Sequence, residues 1–560
     1  MWLNSRPRAS AHSRNTSSPM SEDTSTSSSV DVVIVGAGPV GLTASILLSR
    51  LGISHVVVEA RDGLHEAPQA HVVSPRTMEI LTRSIGINDG DLRSVATPFD
   101  QIPVVRWVET LTGVEHGNFS LVTQARITKM IATTPCPPAN ISQNRLEPVL
   151  LSSAEDAGAT VHFGHEWLSS TERDGEVTST VLNRETGERQ AIISRYVLAC
   201  DGASSQVRRH ANIGMDGAAL VEMFTSIHLV GDLRPALAER PGLLFWCIGD
   251  TARAWFVVHD IERECVMMHP TVPDTPPVTK EIARQLVRSA VGMDLDVEIA
   301  SITPWRMSSQ VATTYRSGRT LLAGDAAHRF PPTGGIGMNT GIADVHNLCW
   351  KLAQVLTGSA GEDLLETYEA ERRPVATANA EQSLKNHLKM IEVEDAVAAK
   401  SGIAEAIDRQ EEHFDMTGLD IGFRYDSTAI IREGSATAED PDFNPVTDVI
   451  ATAAPGYRLS HAPVIVDSAA ISTIDLARLD DFVLLVAPGS TLWDGCGIPT
   501  VEVAGADETW ATISGTDDSG AILLRPDGHV AWRAATAPVD PAETARRALA
   551  SVRSARHAAN

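Results

Sequence analysis

Asp31-Val-Val-Ile-Val-Gly36-Ala-Gly38-Pro39-Val-Gly41-Leu-Thr-Ala-Ser-Ile-Leu-Leu-Ser-Arg50 is the stretch on which the fold turns. Four apolar residues, Val32 to Val35, run into three glycines, Gly36, Gly38 and Gly41. Leu42, Ile46 and Leu47 then recur at helical spacing. The pattern predicts strand, tight turn and helix. Backbone N–H groups in such a turn can approach a pyrophosphate lying on the positive end of the helix. A second apolar run, His55-Val-Val-Val-Glu59, ends in an acid placed to bond a ribose hydroxyl. A glycine triplet alone is weak evidence. Flanked by strand, helix and acid, it reads as a dinucleotide cradle.

The chain has 560 residues, room for roughly three to four domains by length alone. Its formal net charge of −25 argues against nucleic-acid or anionic-membrane partners, since phosphate surfaces need a basic field. No run approaches the roughly 18 apolar residues of a membrane span. None of Cys136, Cys200, Cys247, Cys265, Cys349 and Cys496 is spaced as a zinc knuckle or a CxxC pair. Neither a metal site nor dithiol chemistry is expected. Without a secretory signal, the expected compartment is the reducing cytoplasm.

Residues 1–29, rich in Ser, Thr and Arg, read as a disordered tail. Residues 30–215 hold the first βαβ unit, then a helix starting near Pro75 and another beyond Gln143. A strand pattern at Arg195 to Cys200 ends in Asp201-Gly202-Ala-Ser-Ser205, where small residues permit close backbone approach. Residues 216–300 change to short alternating runs, read as a meander of antiparallel strands carrying His228, Trp246 and Trp255. These three are candidate pocket residues. Pro276 to Val291 follows as a helix, with Ile282, Leu286 and Val287 on one face.

Residues 301–400 return to the first domain and carry a second dense motif, Gly324-Asp325-Ala-Ala-His328 at a strand end. Phe330-Pro331-Pro332-Thr-Gly334-Gly335-Ile-Gly337-Met338-Asn339 follows, then a long amphipathic helix. Its first turn would present unpaired N–H groups at Met338 and Asn339 with the positive end of the macrodipole. A flavin ring docked there would have the negative charge of its reduced form stabilised. Asp325 could accept hydrogen bonds from the ribityl chain. Glu371-Arg-Arg-Pro374 marks a kink or a new helix start. Residues 401–454 read as a connecting segment with breakers at Gly422, Gly434 and Pro441. Residues 455–560 read as strands, a Pro526-Asp-Gly-His529 hairpin turn, and a closing helix from Pro541 to about Ala555.

Together, the glycine motif, the Asp201-Gly202 motif and the Gly324–Asn339 loop resemble the FAD-dependent aromatic hydroxylases, the single-component class A flavoprotein monooxygenases. Arg424-Tyr425, Pro455-Gly456 and the last unit are similar to the phenol and chlorophenol hydroxylase branch. The resemblance implies an α/β fold: a Rossmann-like FAD-binding domain, an inserted antiparallel β-sheet substrate domain, and a C-terminal thioredoxin-like domain without CxxC. It implies FAD as cofactor, NAD(P)H as co-substrate, and a phenolic aromatic hydroxylated through a flavin hydroperoxide. Glu59 would bind the adenosine ribose, Gln143 the flavin side chain, Asp325 the ribityl chain, and Gly337, Met338 and Asn339 the pyrimidine edge. The Asp201-Gly202 motif is associated with both FAD and NAD(P)H. Gln69 stands where the family has a pyrophosphate-holding Arg, leaving Arg61, Arg76 or backbone for that role. The Pro332 carbonyl joins the pocket candidates. His328 reads equally well as structural, and no catalytic base is assigned. Baeyer–Villiger or other flavin oxidoreductase chemistry on a polyketide-like aromatic and a non-catalytic FAD-binding adaptor remain alternatives, and a homodimer stays open.

Overall fold

The computed structural model describes residues 28–98, 101, 103–249, 253–433 and 442–554. Of the tail read over 1–29, residues 1–27 lie outside the described residues, as do Gly434, Pro441 and Ala555. Ser28 and Ser29 are not tail: they open the first strand, Ser28–Val35.

That strand is the centre of the first sheet. Arg189–Ala199 and His55–Val58 pair with it in parallel on either side, Thr320–Leu322 pairs in parallel with Arg189–Ala199, and Val161–His162 with His55–Val58. Val32, Val33 and Ile34 are fully buried. A parallel sheet covered on both faces needs such an unbroken apolar run. The helix Pro39–Arg50 buries Leu42, Ile46 and Leu47 together with Thr43 and Ser45, so it is enclosed rather than amphipathic. An antiparallel hairpin, His165–Arg173 and Glu176–Asn183, extends this sheet through a turn with Asp174 at φ 52° and Gly175 at φ 84°.

The second sheet runs, edge to edge, His328–Arg329, Val297–Ala312, Met215–Gly231, Glu264–Thr271, Arg253–Asp260, Leu244–Ile248, Val104–Val108 and Glu115–Ser120. The meander is therefore joined by a hairpin from far upstream. That hairpin has little strand signal in the sequence, since Glu115–Ser120 carries one large apolar residue, Phe119, and its neighbour Val104–Val108 finds its other partner only across the sheet. One face packs Ile227, Phe245, Phe256 and Met267 against the helix Lys280–Val291. That helix turns Ala283, Val287, Ala290 and Val291 inward, and Ile282, read as a core position, is 41% exposed. The opposite face carries Phe224, His228, Trp246, Trp255 and Glu264.

Of two long helices, Gly337–Leu356 packs on Pro39–Arg50, and Glu366–Ala399 crosses to the second sheet, where Met390 and Val393 join Trp107, Phe224 and Trp255. No break occurs at Pro374. Proline removes one backbone donor and crowds the carbonyl four residues back. Burial of Arg372, Val375, Ala376 and Asn379 around it holds the helix through that defect. Among the described residues, no helix is long and apolar enough to cross a membrane.

The C-terminal thioredoxin-like unit has the sheet Thr500–Glu502, Val483–Val486, Ala521–Leu524 and Val530–Ala534, closed by the helix Pro541–Ser554. One face, with Leu484, Val486 and Leu523, is continuous with the core of the first domain, and Phe482 meets Trp350 edge-on at 5.5 Å. Charges are buried at the same junction. Glu371 accepts from Arg525 Nη1 and Nη2 at 2.7 Å each and from Lys351 Nζ at 2.8 Å, with all three side chains fully buried. A buried pair of this kind is weak evidence of net stabilisation, but removing one partner strands a charge. Glu371→Gln is expected to destabilise the protein by about 3–5 kcal/mol, read by urea denaturation.

Candidate active site

The parallel strands of the first sheet end at Val35, Val58, Ala199 and Leu322. The residues that follow are Gly36, Glu59, Asp201-Gly202 and Gly324-Asp325, so the sequence motifs meet at one sheet edge. The carboxyl edge of a doubly wound sheet is where ligands bind.

Two glycines of the first motif are demanded by packing. Gly36 has φ +105°, and a Cβ there would lie 2.4 Å from the Cys200 carbonyl oxygen. A Cβ on Gly41 would lie 1.9 Å from the Gly36 carbonyl oxygen. Gly38 differs: nothing lies within 4 Å of its Cβ position, so it is open to a ligand. Pro39 begins the helix, and Gly38 supplies no side-chain cap. The second motif packs on the first. Cβ atoms on Gly324 and Gly341 would stand 3.0 and 2.6 Å from Val40 Cγ2.

Gly337, Met338 and Asn339 form the first turn of Gly337–Leu356, and Ile336 gives it no side-chain cap. By contrast, Gln124–Thr133 and Lys280–Val291, away from this edge, are capped by Thr123 and Thr279. The two cleft helices thus keep their first N–H groups and positive ends available to an anion. The Asn339 side chain is engaged elsewhere. Its Oδ1 accepts from Ser74 N at 2.9 Å, and its Nδ2 donates to Val72 O at 2.9 Å and Gly335 O at 2.7 Å.

Glu59 Oε2 accepts from Ala37 N at 2.8 Å, inside the glycine turn, and Oε1 accepts from Arg61 N and Nε. Burial works against its charge, but the Arg61 side chain and these amides outweigh it and hold the carboxyl below its usual range. Arg61 Nη1 is buried without a partner among the described residues, a donor left for a ligand. Arg76 is not free. Its guanidinium is buried, donating to Glu79 at 2.8 Å and to the Asp527 carbonyl at 2.7 Å, which removes it from the pyrophosphate candidates.

Gln143 opens the helix Gln143–Asp156 and donates to Glu147 at 2.7 Å. Asp201 Oδ2 caps the short helix after it, accepting from Gln206 N at 2.7 Å and Val207 N at 3.0 Å. Its Oδ1 is buried and unpaired, and burial pushes the carboxyl up. Gly202, at φ +74°, has open space at its Cβ position. Asp325 is exposed to the cleft and makes no hydrogen bond to the described residues, while the protein mass around it pushes its carboxyl up. His328 is structural: fully buried, it shares a 2.7 Å hydrogen bond with Asp344, which also accepts from Arg372 at 2.8 Å and Gly324 N at 3.1 Å.

The second sheet supplies the facing wall. Its strand register sets Ser226, Met268, Trp255 and Trp246 in one row and His228, Val266 and Val257 in the next. His228 Nε2 meets Glu264 Oε2 at 3.2 Å, and Glu264 Oε1 accepts from Arg145 Nε at 2.9 Å. Burial opposes the Glu264 charge, and these two partners outweigh it. The His259 ring lies edge-on to His71 at 5.5 Å, and burial, then His71, Arg145 and His228, drive its pKa well below the usual value. His71 adjoins Val72, against which Gly335 packs. The imidazole end of the face therefore borders the flavin-type loop. The other end borders it too: Gly334 packs on Met416 and Asn386, and His387 lies 6.2 Å from Trp255.

Trp246 and Trp255, 5% and 3% exposed, pack with Trp107, Phe224, Met390 and Ile407, and the N–H of each is unpaired. They form an aromatic layer first and a pocket wall second. The Pro332 carbonyl accepts from Gly335 N at 3.0 Å in the loop's own turn. Sequence reasoning missed His71, Arg145, His259 and Glu264. The alternation Trp255, Val257, His259 was the available signal for His259; the others are joined only by folding.

The FAD binding domain family model matches residues 29–383, and the aromatic-ring hydroxylase C-terminal model matches residues 452–555. The chain belongs to the FAD-dependent aromatic-ring hydroxylases. It is 34% identical to a 4-methyl-5-nitrocatechol 5-monooxygenase of Burkholderia sp., covering 93% of this chain and 97% of that one. A phenol 2-monooxygenase of Pseudomonas sp. (strain EST1001) is 33% identical over 92% of this chain and 91% of its own. The crystal structure of the flavin-dependent monooxygenase PieE, in complex with FAD and substrate, superposes with a TM-score of 0.87 at 30% identity, covering 94% and 98%. A ternary complex of aklavinone-11 hydroxylase with FAD and aklavinone gives 0.81 at 29%, covering 94% and 100%.

This hydroxylase uses FAD, with NAD(P)H and dioxygen as co-substrates, to hydroxylate aromatic rings. The open Gly38, the orphaned Arg61 Nη1, the unpaired Asp325 and the two uncapped helix starts fit such a dinucleotide. Gly41→Ala, whose methyl meets rigid backbone, is expected to purify colourless, with a flavin-to-protein absorbance ratio near background.

Proposed function

We propose that the hydroxylase's substrate is a phenol of several fused rings lying along the second sheet, with His228 taking the phenolic proton. The observation that carries this is the His228–Glu264 pair, level with the small side chains of Val257 and Val266 on the face whose His259 meets His71, the neighbour of the loop contact Val72. From Trp255 to His259 the strand advances roughly 13 Å at about 3.3 Å per residue, longer than a single ring needs. Similarity to the tetracenomycin A2 monooxygenase-dioxygenase of Streptomyces glaucescens, 33% identical, supports a multi-ring substrate.

Bound FAD would supply the acceptance of hydride from NAD(P)H and the activation of dioxygen. The chain's residues do the rest. Gly36, Gly38, Pro39 and Gly41 open the helix end to pyrophosphate, with Arg61 as a donor and Glu59 at the ribose. Gln143 and Asp325 hold the flavin side chain. The N–H groups at Gly337, Met338 and Asn339 would hold the pyrimidine edge and favour negative charge there. Asp201 and Gly202 border the FAD and NAD(P)H path. Glu264 accepts from His228 Nε2–H, which leaves Nδ1 to accept the phenolic proton. Ionising the phenol raises electron density at the ring carbons ortho and para to it, where the new oxygen attaches. Trp246, Trp255 and the Pro332 loop keep water from the reacting ring. Six unpaired thiols support a reducing, cytoplasmic setting.

His228→Ala should lower kcat by about 10²–10⁴-fold, the range of a lost general base, while flavin content and flavin reduction by NAD(P)H stay intact. Phenols already ionised at the assay pH should recover most of the loss. An unchanged kcat, or loss independent of phenol acidity, would place the base elsewhere. In a substrate panel, fused-ring phenols should show higher kcat/KM than phenol itself.

A further inference from the structure

The C-terminal unit has no dithiol. Its one cysteine, Cys496, is buried, with Sγ 3.7 Å from the Ile498 carbonyl. Yet it is tied to the flavin cleft by an unbroken run of hydrogen bonds. The run starts at the Arg525–His529 turn. Asp527 accepts from Asn347 Nδ2 at 3.2 Å and Trp350 Nε1 at 3.3 Å, midway along the helix whose first turn contains Asn339. The Asp527 carbonyl accepts from Arg76 Nη2 at 2.7 Å. Arg76 N in turn donates to Asp420 Oδ2 at 3.0 Å, and Asp420 Oδ1 accepts from Ser74 Oγ at 2.7 Å. Ser74 N reaches Asn339 Oδ1 at 2.9 Å. The same turn therefore grips the helix Gly337–Leu356 twice, once at its middle and once at its first turn.

Arg76, Ser74, Asn339 and Asp527 are buried, where a lost partner leaves an unsatisfied polar group, and half-buried Asp420 joins Arg76 to Ser74. Arg76 is held on its other side by Glu79, which also accepts from Thr134 Oγ1 at 2.6 Å and pairs with Arg458 at 3.3 Å. Arg525 is fixed in turn by Glu371. A displacement of the Asp527–Gly528 turn has no compliant side chain to absorb it before Ser74 and Asn339.

We propose that the C-terminal unit is a positioning element for the flavin: its Asp527–Gly528 turn, acting through Arg76, Asp420 and Ser74, sets where Asn339 and the first turn of Gly337–Leu356 stand. Asp420, Arg76 and Ser74 are then positioning residues for FAD, at a distance from any reacting atom. The proposal rests on reading the Gly337–Asn339 turn as the flavin's seat.

The test is FAD binding to the full-length apoprotein, followed by flavin fluorescence and the visible spectrum, with thermal denaturation of the same samples. Ser74→Ala and Asp420→Asn should each raise the FAD dissociation constant about fivefold, the equivalent of one net hydrogen bond. The double variant should lose less than the product of the two, since the residues share one link. Gly528→Ala, which places a methyl at φ +77° in the remote turn, should weaken FAD in the same direction and shift the flavin absorption band. Multiplicative losses in the cycle, or apoprotein destabilisation with FAD affinity unchanged, would overturn the proposal. Asn339→Ala separates the two readings. If it leaves FAD affinity unchanged, the seat itself is wrong; if it alone weakens FAD, the seat stands and the C-terminal linkage fails. Should Gly528→Ala not fold, the Ser74 and Asp420 cycle decides.

Discussion

Two helix starts can meet only because no side chain stands between them. Val40 of the first helix packs directly on Gly324 and Gly341, and Gly41 packs on the carbonyl of Gly36. At Gly36, Gly41 and Gly341 a single methyl would have to push backbone aside, and at Gly324 it would press on the Val40 side chain. The result is two positive helix ends, neither capped by a side chain, facing one cleft at the carboxyl edge of a parallel sheet. Isolated, such ends are poorly satisfied. Brought together, they suit an elongated ligand with an anionic centre and an electron-accepting end, as FAD has in its pyrophosphate and flavin ring.

The second sheet uses a different physical device. Its strands alternate, so one face is committed to packing on Lys280–Val291, while the other packs its indole layer on Met390, Val393 and Ile407 and carries His228 and Glu264 beside that layer. On the cleft face the side chains grade from indole and phenyl rings to imidazoles and a carboxylate within one strand length. Burial controls the chemistry along that gradient. It keeps His259 neutral, while Arg145 and His228 keep Glu264 charged despite the desolvation cost. An imidazole oriented by a carboxylate, as His228 is by Glu264, is the arrangement that proton removal from a phenol uses.

The third unit is bound to this arrangement by charge as well as by apolar packing. Glu371, Arg525, Lys351 and Asp527 are buried together where the two long helices meet the C-terminal hairpin. An apolar junction tolerates sliding, whereas buried ion pairs have one geometry in which every charge is satisfied. That rigidity suits a scaffold whose cofactor seat is built from backbone.

The sequence alone determined the dinucleotide fold and the flavin loop, because glycine spacing, strand ends and helix starts are local properties. Gly36 to Gly41, Glu59, Asp201-Gly202 and Gly324 to Asn339 all carry their meaning within a few residues. It also foretold the hairpin turns at Asp174-Gly175 and Pro526 to His529. Of its two readings at Pro374, the new helix start fails, since burial carries one helix through the breaker, and it misjudged Ile282, since one residue of rotation moves a side chain from core to solvent. Only the tertiary structure removed Arg76 from the phosphate candidates, made His328 structural, joined His228 to Glu264 and Arg145, and linked Asp527 to Ser74. Those assignments depend on partners drawn from distant segments, and a pairing across folded segments leaves no periodic trace in the chain.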